Sequence, residues 1–91
     1  MNVILTGEEF LSPATILLFP NPAKSFAWLK GANITHDASL EIIETNGRQC
    51  EFLYEWIGDQ YHLDVSKLNA GIYFLRIKYQ GHIQLAKLVI L

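Results

Sequence analysis

The fold is decided by the stretch Leu68-Asn69-Ala70-Gly71-Ile72-Tyr73-Phe74-Leu75-Arg76-Ile77-Lys78-Tyr79, a tight turn followed by a strand. Apolar residues on alternate positions predict one buried and one solvent-facing side. The side predicted to be buried carries Tyr73, Leu75, Ile77 and Tyr79. The spacing L-x-x-G-x-Y is typical of a tyrosine corner, in which the Tyr73 hydroxyl bonds to the backbone a few residues upstream. It predicts two packed sheets, and a structural role for Tyr73 rather than contact with a ligand.

Length and composition restrict the class of protein. The 91 residues correspond to one domain, and 51% of them are hydrophobic, which is enough for a small core. A net charge of -2 with scattered Lys and Arg residues gives no basic surface for nucleic acid or anionic lipid. The single cysteine, Cys50, can form no internal disulfide and is interpreted as a small hydrophobic residue.

Residues 1–14 are predicted to be a lead-in or linker, and residues 15–91 the folded domain. Ser12-Pro13 interrupts any helix in the first segment. Glu8 and Glu9 stand where a signal peptide has its apolar core, and there is no positively charged n-region, so we expect no signal peptide in this chain. No apolar run approaches the roughly 18–20 residues of a membrane helix.

Strands are predicted in the order of the chain from their alternation and from the turns between them. The first, residues 15–19, stops at Pro20-Asn21-Pro22 because two prolines cannot donate to a sheet. The second, residues 24–30, places Phe26, Trp28 and Lys30 on one face, and Trp28 is predicted to belong to the core. A third begins at Leu40 and ends at Asn46-Gly47, a strong hairpin signal.

The remaining strands are predicted at residues 48–57, 60–65, 71–79 and 82–91. Neither face of the 48–57 segment is purely apolar. In the last strand, Ile83 and Leu85 have one parity and Leu88 and Ile90 the other, so we infer a bulge near Ala86-Lys87 that turns both pairs inward. Seven short strands with no helical period predict an all-β fold, a seven-stranded antiparallel β-sandwich of the immunoglobulin or fibronectin type.

Three segments of the chain carry a family resemblance. Leu18-Phe19-Pro20-Asn21-Pro22-Ala23 is similar to an opening motif, and residues 40–48 are similar to a motif of alternating apolar residues, an acid, a Gly and a basic residue. Leu68-x-x-Gly71-x-Tyr73 followed by Lys87-Leu88-Val89-Ile90 is similar to a closing motif. In this order the segments resemble the type A C-terminal sorting domain of the bacterial type IX secretion system, the Por secretion tail. One departure is Glu44, where the family usually has Asp.

The resemblance implies function by recognition. Such a domain is read by the outer-membrane translocon and then removed by a sortase-like peptidase, so that an upstream cargo protein is released or attached to the cell surface after transit through the periplasm. It implies no catalysis and no cofactor, no contact with nucleic acid and no membrane insertion, and it leaves open weak self-association through an edge strand. It gives a structural or recognition role to Phe19, Pro20, Asn21, Pro22, Ala23, Glu44, Asn46, Gly47, Leu68, Gly71, Tyr73 and Lys87.

The residues themselves offer no catalytic or metal-binding pattern. His36, His62 and His82 lie in separate elements, and none has a metal-ligand spacing with Cys50. No nucleophile motif or glycine-rich phosphate loop is present. Two alternatives remain: an adhesive sandwich module, and a sugar-binding module in which at least two exposed, coplanar rings form a platform. The candidate rings are Trp28, Trp56, Tyr54, Tyr61 and Tyr79.

Overall fold

The computed structural model describes residues 16–91. The predicted lead-in at residues 1–14 and the start of the predicted domain at Thr15 lie outside the described residues. Within residues 16–91 there are eight strands and no helix: β1 Ile16–Phe19, β2 Phe26–Gly31, β3 Ser39–Glu44, β4 Gln49–Cys50, β5 Leu53–Ile57, β6 Gln60–Asp64, β7 Gly71–Tyr79 and β8 His82–Ile90. It follows that the described part contains no helix that could span a membrane.

In the described part of the chain, the strands form two antiparallel sheets of four. The first sheet has the order β1-β2-β6-β5, and the second has the order β4-β3-β7-β8. Inward-facing side chains of both sheets form one buried cluster, as a sandwich-like arrangement requires. The largest fully buried side chains are Leu29, Ile42, Leu63, Leu75, Ile77, Leu88 and Val65. The buried face predicted for residues 71–79 is confirmed, because Tyr73, Leu75, Ile77 and Tyr79 are all buried.

A tight turn joins the last two strands. The turn Gln80-Gly81 joins β7 to β8 with φ values of 51° and 76°. Two consecutive positive φ angles define a type I′ turn, whose twist matches that of the flanking strands. This turn fixes the pairing of β7 and β8, the two longest strands of the described domain.

The predicted strand at residues 48–57 is two strands, so eight are observed instead of the seven expected. Gln49–Cys50 pairs with β3 in the second sheet, whereas Leu53–Ile57 pairs with β6 in the first sheet. The chain crosses between the sheets at Glu51-Phe52. The inward parity is the same in both strands, because Cys50 lies opposite the buried Ile42 and Trp56 lies opposite the buried Tyr61. The other face is mixed because it exposes the apolar side chains of Leu53 and Ile57.

The predicted bulge near Ala86-Lys87 is wrong. β7 and β8 pair in one continuous register from Gly71 opposite Ile90 to Tyr79 opposite His82. Leu88 and Ile90 consequently face the core, whereas Ile83 and Leu85 remain on the outer face, 65% and 60% exposed. The sheet is regular, and two apolar side chains of an edge strand are left in contact with water.

The placement of Trp28 in the core is also wrong. Ala27 and Leu29 are fully buried, and Trp28 is half-buried on the outer face of the first sheet. Its indole packs edge-on against the His62 imidazole, with ring centroids 4.7 Å apart. The face of β2 with the smaller side chains points inward, because aromatic rings from other strands, including Tyr61 and Tyr73, already fill the core.

Candidate recognition surface

Asn21 links the opening motif to the closing strand. Its side-chain amide donates to the carbonyl of Lys87 at 2.8 Å, and its Oδ1 accepts from the Val89 backbone N–H at 3.0 Å. A single side chain thus makes the pair of bonds that a neighbouring strand would make, across 66 and 68 residues of sequence. It occupies the outer edge of β8, where strand pairing would otherwise be open.

Ala23 continues this contact through its backbone. Its N–H donates to the Val89 carbonyl at 2.8 Å, and its carbonyl accepts from the Leu91 N–H at 2.8 Å. The Ala23 side chain is buried. The peptide bonds preceding Pro20 and Pro22 are cis. The segment from Pro20 to Ala23 therefore covers the C-terminal half of the β8 edge. Its two prolines have no backbone N–H to donate, but the bonds to β8 come from Asn21 and Ala23 and need no donor from the prolines.

The hairpin between β3 and β4 is built on Glu44, Asn46 and Gly47. The Gly47 N–H donates to the Glu44 carbonyl at 2.9 Å, and the Glu44 N–H donates to the Arg48 carbonyl at 2.8 Å. Gly47 has a φ of 89°, and the Asn46 carboxamide oxygen accepts from the Arg48 N–H at 2.9 Å. This is a three-residue loop that ends in a left-handed glycine. The predicted hairpin is confirmed.

Glu44 contributes to this turn through its backbone. Its carboxylate lies 3.6 Å from the Cys50 thiol, which donates to it. Burial, followed by the nearby Glu44 carboxylate, raises the pKa of the Cys50 thiol. Because the bonds that close the turn use backbone atoms, the hairpin does not depend on the Glu44 carboxylate.

The tyrosine corner is confirmed in the predicted geometry. The Tyr73 hydroxyl donates to the Asn69 carbonyl at 2.6 Å, and the side chain is only 6% exposed. Burial raises the pKa of Tyr73, with smaller contributions from Cys50 and Glu44. Leu68 packs partly buried against the core, and its N–H donates to the Val65 carbonyl at 3.1 Å. The corner therefore ties the turn after β6 to the start of β7.

Strand register brings these segments to one end of the domain. Glu44 lies opposite Tyr73, Tyr73 lies opposite Leu88, and Ala23 bridges to Ile90. The end of β3, the start of β7, the end of β8 and the segment from Pro20 to Ala23 are therefore neighbours. We call this region, formed by residues 19–23, 44–48, 68–73 and 87–91, the motif end. The start of β1 lies at the opposite end, since Ile16 pairs with Gly31 at the far end of β2.

Comparison with known proteins identifies the family of this chain. A sequence model of the family described as secretion system C-terminal sorting domain matches residues 17–91, the range that contains all four segments of the motif end. The chain belongs to this family. The sorting domain is thus the C-terminal signal for type IX secretion, and it marks a protein for export to the cell surface or the extracellular space. The family is a family of sorting signals, not of enzymes. No curated protein matches the chain.

The sorting domain has a second tyrosine anchor that sequence reasoning missed. The Tyr61 hydroxyl donates to the Thr35 carbonyl at 2.7 Å and accepts from the Ala38 N–H at 3.0 Å. Tyr61 is 2% exposed, and burial raises its pKa. It fixes the loop between β2 and β3, at the end opposite to the motif end. Its inward parity in β6 was visible in the sequence, but its partners 23 and 26 residues away were not.

The titratable residues of the sorting domain stay apart. Among the residues that the structure describes, no group of three His, Cys, Asp or Glu side chains could hold a metal ion. His62 stacks on Phe26 with ring centroids 5.7 Å apart. The Asp64 carboxylate accepts from both the backbone N–H and the hydroxyl of Ser66, which lowers the pKa of Asp64. These side chains therefore stabilise a strand face and a turn.

The proposed sugar platform is not assembled from the rings considered for it. Tyr61 and Tyr79 are buried, and Trp56 is partly buried against the core. Tyr54 also faces inward, where its hydroxyl accepts from the Leu40 N–H at 3.3 Å. Trp28 lies on the outer face of the first sheet, whereas Tyr54, the most exposed of the five rings at 37%, lies on its inner face, so these two rings do not share a surface.

Proposed function

We propose that the motif end is the surface that the outer-membrane translocon of the type IX system reads. The observation that carries this proposal is the convergence of the four segments of the motif end, far apart in sequence, at one end of the domain. A recognition surface needs such convergence, because a partner contacts neighbouring residues of the folded protein. The generic alternative is that each motif serves only its own turn, but Asn21 and Ala23 bond directly to the closing strand.

Residues of the motif end divide into buried supports and exposed groups. Ala23 and Tyr73 are buried and hold the backbone, whereas Pro20, Pro22 and Lys87 are exposed. Lys87 uses its carbonyl to bind Asn21, so its side chain is not needed for that contact. We assign the contacts with the partner to the exposed groups. The buried groups hold the surface in its shape.

The direction of the chain supports the same assignment. Ile16, the first described residue, lies at the end of β1 that is farther from the motif end, because Ile16 pairs with Gly31 and Phe19 pairs with Trp28 towards the motif end. An upstream cargo would therefore leave the motif end accessible. We infer that the domain is read after the cargo has reached the periplasm and that a sortase-like peptidase then cuts upstream of the domain.

Export of a reporter tests this function. The full chain is fused to the C-terminus of a fluorescent protein that carries a signal peptide, in a bacterium with a type IX system. We expect the reporter outside the cell in the parent strain, and a periplasmic reporter in a strain that lacks the translocon. In a strain that lacks only the peptidase, the exported reporter should keep the domain. Equal export with and without the translocon would contradict the proposal.

We further propose that the sandwich is of the immunoglobulin type. The order β1-β2-β6-β5 corresponds to strands A-B-E-D of that fold, and β4-β3-β7-β8 corresponds to C′-C-F-G. The tyrosine corner supports this assignment, because Tyr73 lies at the start of the strand that corresponds to F, after the E–F connection. In this scheme β4 and β5 are C′ and D, which the crossing at Glu51-Phe52 joins.

A further inference from the structure

The outer edge of β8 is covered over only part of its length. Asn21 and Ala23 bond to Lys87, Val89 and Leu91. Residues 82–86 lie between this cover and the Gln80-Gly81 turn, and β7 is the only strand within residues 16–91 that pairs with them. Because backbone groups alternate in direction along a strand, the outward N–H and C=O groups here belong to Ile83 and Leu85. The part of the edge that no residue of the described chain pairs with, which we call the free edge, is thus five residues long, with Gln84 at its middle.

We propose that this free edge pairs with the same edge of a second copy, in antiparallel register about a two-fold axis at Gln84. In that register Ile83 lies opposite Leu85 of the second copy, and Leu85 lies opposite its Ile83. Each of these two pairs is a hydrogen-bonded pair, so the backbones exchange four hydrogen bonds. The four-stranded sheet that contains β8 in one copy then joins the same sheet of the second copy, and together they form one continuous sheet of eight strands.

The side chains of the free edge are self-complementary in this register. Ile83 and Leu85 are 65% and 60% exposed on the outer face, and pairing brings four such side chains together. Cross-strand contacts between aliphatic side chains stabilise antiparallel pairs. On the inner face, Gln84 lies beside its own counterpart, and its Oε1 already accepts from the Tyr79 hydroxyl at 2.9 Å.

Charge does not oppose the pairing. Residues 82–86 contain no Lys, Arg, Asp or Glu, whereas edge strands that avoid pairing commonly carry such residues. The cations of the outer face near residues 82–86 are Arg76 and Lys78 of β7, which lie opposite Leu85 and Ile83, and Lys87, which follows Leu85 by two residues in β8. Arg76 and Lys78 are paired with Glu41, at 2.7 Å and 3.7 Å, and Lys87 lies outside the five residues of the free edge. Two copies therefore meet at a neutral strip.

A second copy also fits the length of the free edge. The cover at Lys87 and the turn at Gln80-Gly81 lie on either side of Gln84 at nearly equal distances along the strand. A two-fold axis at Gln84 places the free segments of both copies opposite one another over their whole length. This correspondence between the free segments of the two copies follows from the geometry of the domain alone. It does not rest on the proposed recognition by the translocon.

Sedimentation of the full chain tests the pairing. We expect a monomer–dimer equilibrium, and we expect Leu85→Lys to weaken dimerisation by a factor of ten or more, about 1.4 kcal/mol. Because Leu85 is exposed, this variant should keep the circular dichroism spectrum and the unfolding midpoint of the parent. Lys30→Glu, on the other sheet, serves as the control and should leave the dimer unchanged. A parent chain that stays monomeric at millimolar concentration, or a dimer unaffected by Leu85→Lys, overturns the proposal.

Disulfide trapping tests the register. In a Cys50→Ser background, Gln84→Cys places two thiols on Cα atoms about 4.5 Å apart, within the range for a disulfide. His82→Cys is the matched control, because it has the same inward parity and lies on the same edge. In the proposed register its two copies are about 13 Å apart. Mild oxidation should cross-link the first variant and not the second. Equal cross-linking of both, or of neither, overturns the register.

Discussion

Asn21 and Val89 are joined by a hydrogen bond of 3.0 Å between the side-chain oxygen of one and the backbone N–H of the other, across 68 residues. Together with the bond from the Asn21 amide to the Lys87 carbonyl, it makes the opening motif a partner of the closing strand. The two motifs are therefore one structural unit. A change in either should affect the other.

Asn21→Ala should destabilise the domain by about 1 kcal/mol, because two hydrogen bonds are lost at a site where water can replace them only in part. Amide hydrogen exchange at Val89 should become faster, since its N–H loses its acceptor. Chemical denaturation and exchange measured by nuclear magnetic resonance check the two effects. Asn33→Ala, in the exposed turn after β2, is the control and should change neither. Unaltered exchange at Val89 in Asn21→Ala would count against the contact.

Tyr73→Phe should destabilise the domain by about 1 kcal/mol or somewhat more, because it removes the bond to the Asn69 carbonyl from a buried site. The comparison variant is Tyr79→Phe, whose lost partner, the Gln84 side chain, is half-exposed and can turn to water. We expect a smaller loss there. An unchanged denaturation midpoint for Tyr73→Phe would contradict the role of the tyrosine corner.

Tyr61→Phe should lower the free energy of unfolding by about 1–3 kcal/mol, which is a large effect for the loss of a single hydroxyl. The reason is that the Ala38 N–H loses its acceptor in a buried environment, in addition to the loss of the donor to Thr35. Chemical denaturation measures the effect. A loss no larger than that of Tyr79→Phe would mean that water reaches the Ala38 N–H.

Stability should fall as the pH rises above about 10, the ordinary pKa of tyrosine. Burial raises the pKa of Tyr61 and Tyr73 in the folded protein, so the unfolded chain loses these protons first and is favoured at high pH. Below pH 10 both groups are protonated in both states, and the effect is absent. Denaturation midpoints between pH 8 and pH 11 should fall less steeply for the double variant Tyr61→Phe, Tyr73→Phe. Equal slopes would show that neither phenol contributes.

The sequence was most informative where one face of a strand is purely apolar. Residues 71–79 alternate cleanly, and their buried face, their turn and the Tyr73 hydrogen bond all follow from local spacing. The last strand was harder, because Ile83 and Leu85 look as fit for the core as Leu88 and Ile90. Only the register with β7 decides which pair is buried.

Other features depend on contacts that no local pattern encodes. The bonds of Asn21 to the closing strand require the position of β8 in the second sheet. The alternation of residues 24–30 predicts Trp28 in the core, yet Ala27 and Leu29 fill the inner space beside Tyr61. The change of sheet at Glu51-Phe52 leaves no break in the alternation, because Cys50 before it and Trp56 after it have the same parity and both pack against the core. The sequence therefore reads as one strand where the structure has two.

Charge reversal at Lys87, compared with charge reversal at Lys30, tests the assignment of the motif end most directly. Both side chains are exposed, but Lys87 lies at the motif end and Lys30 near the opposite end, where it pairs with Asp59 at 3.1 Å. Each variant is exported as a C-terminal fusion to a reporter, after its folding has been verified by its circular dichroism and unfolding midpoint. We predict that Lys87→Glu lowers translocon-dependent export and that Lys30→Glu does not. Normal export of a folded Lys87→Glu fusion, or equal loss in both variants, would contradict the assignment of this surface.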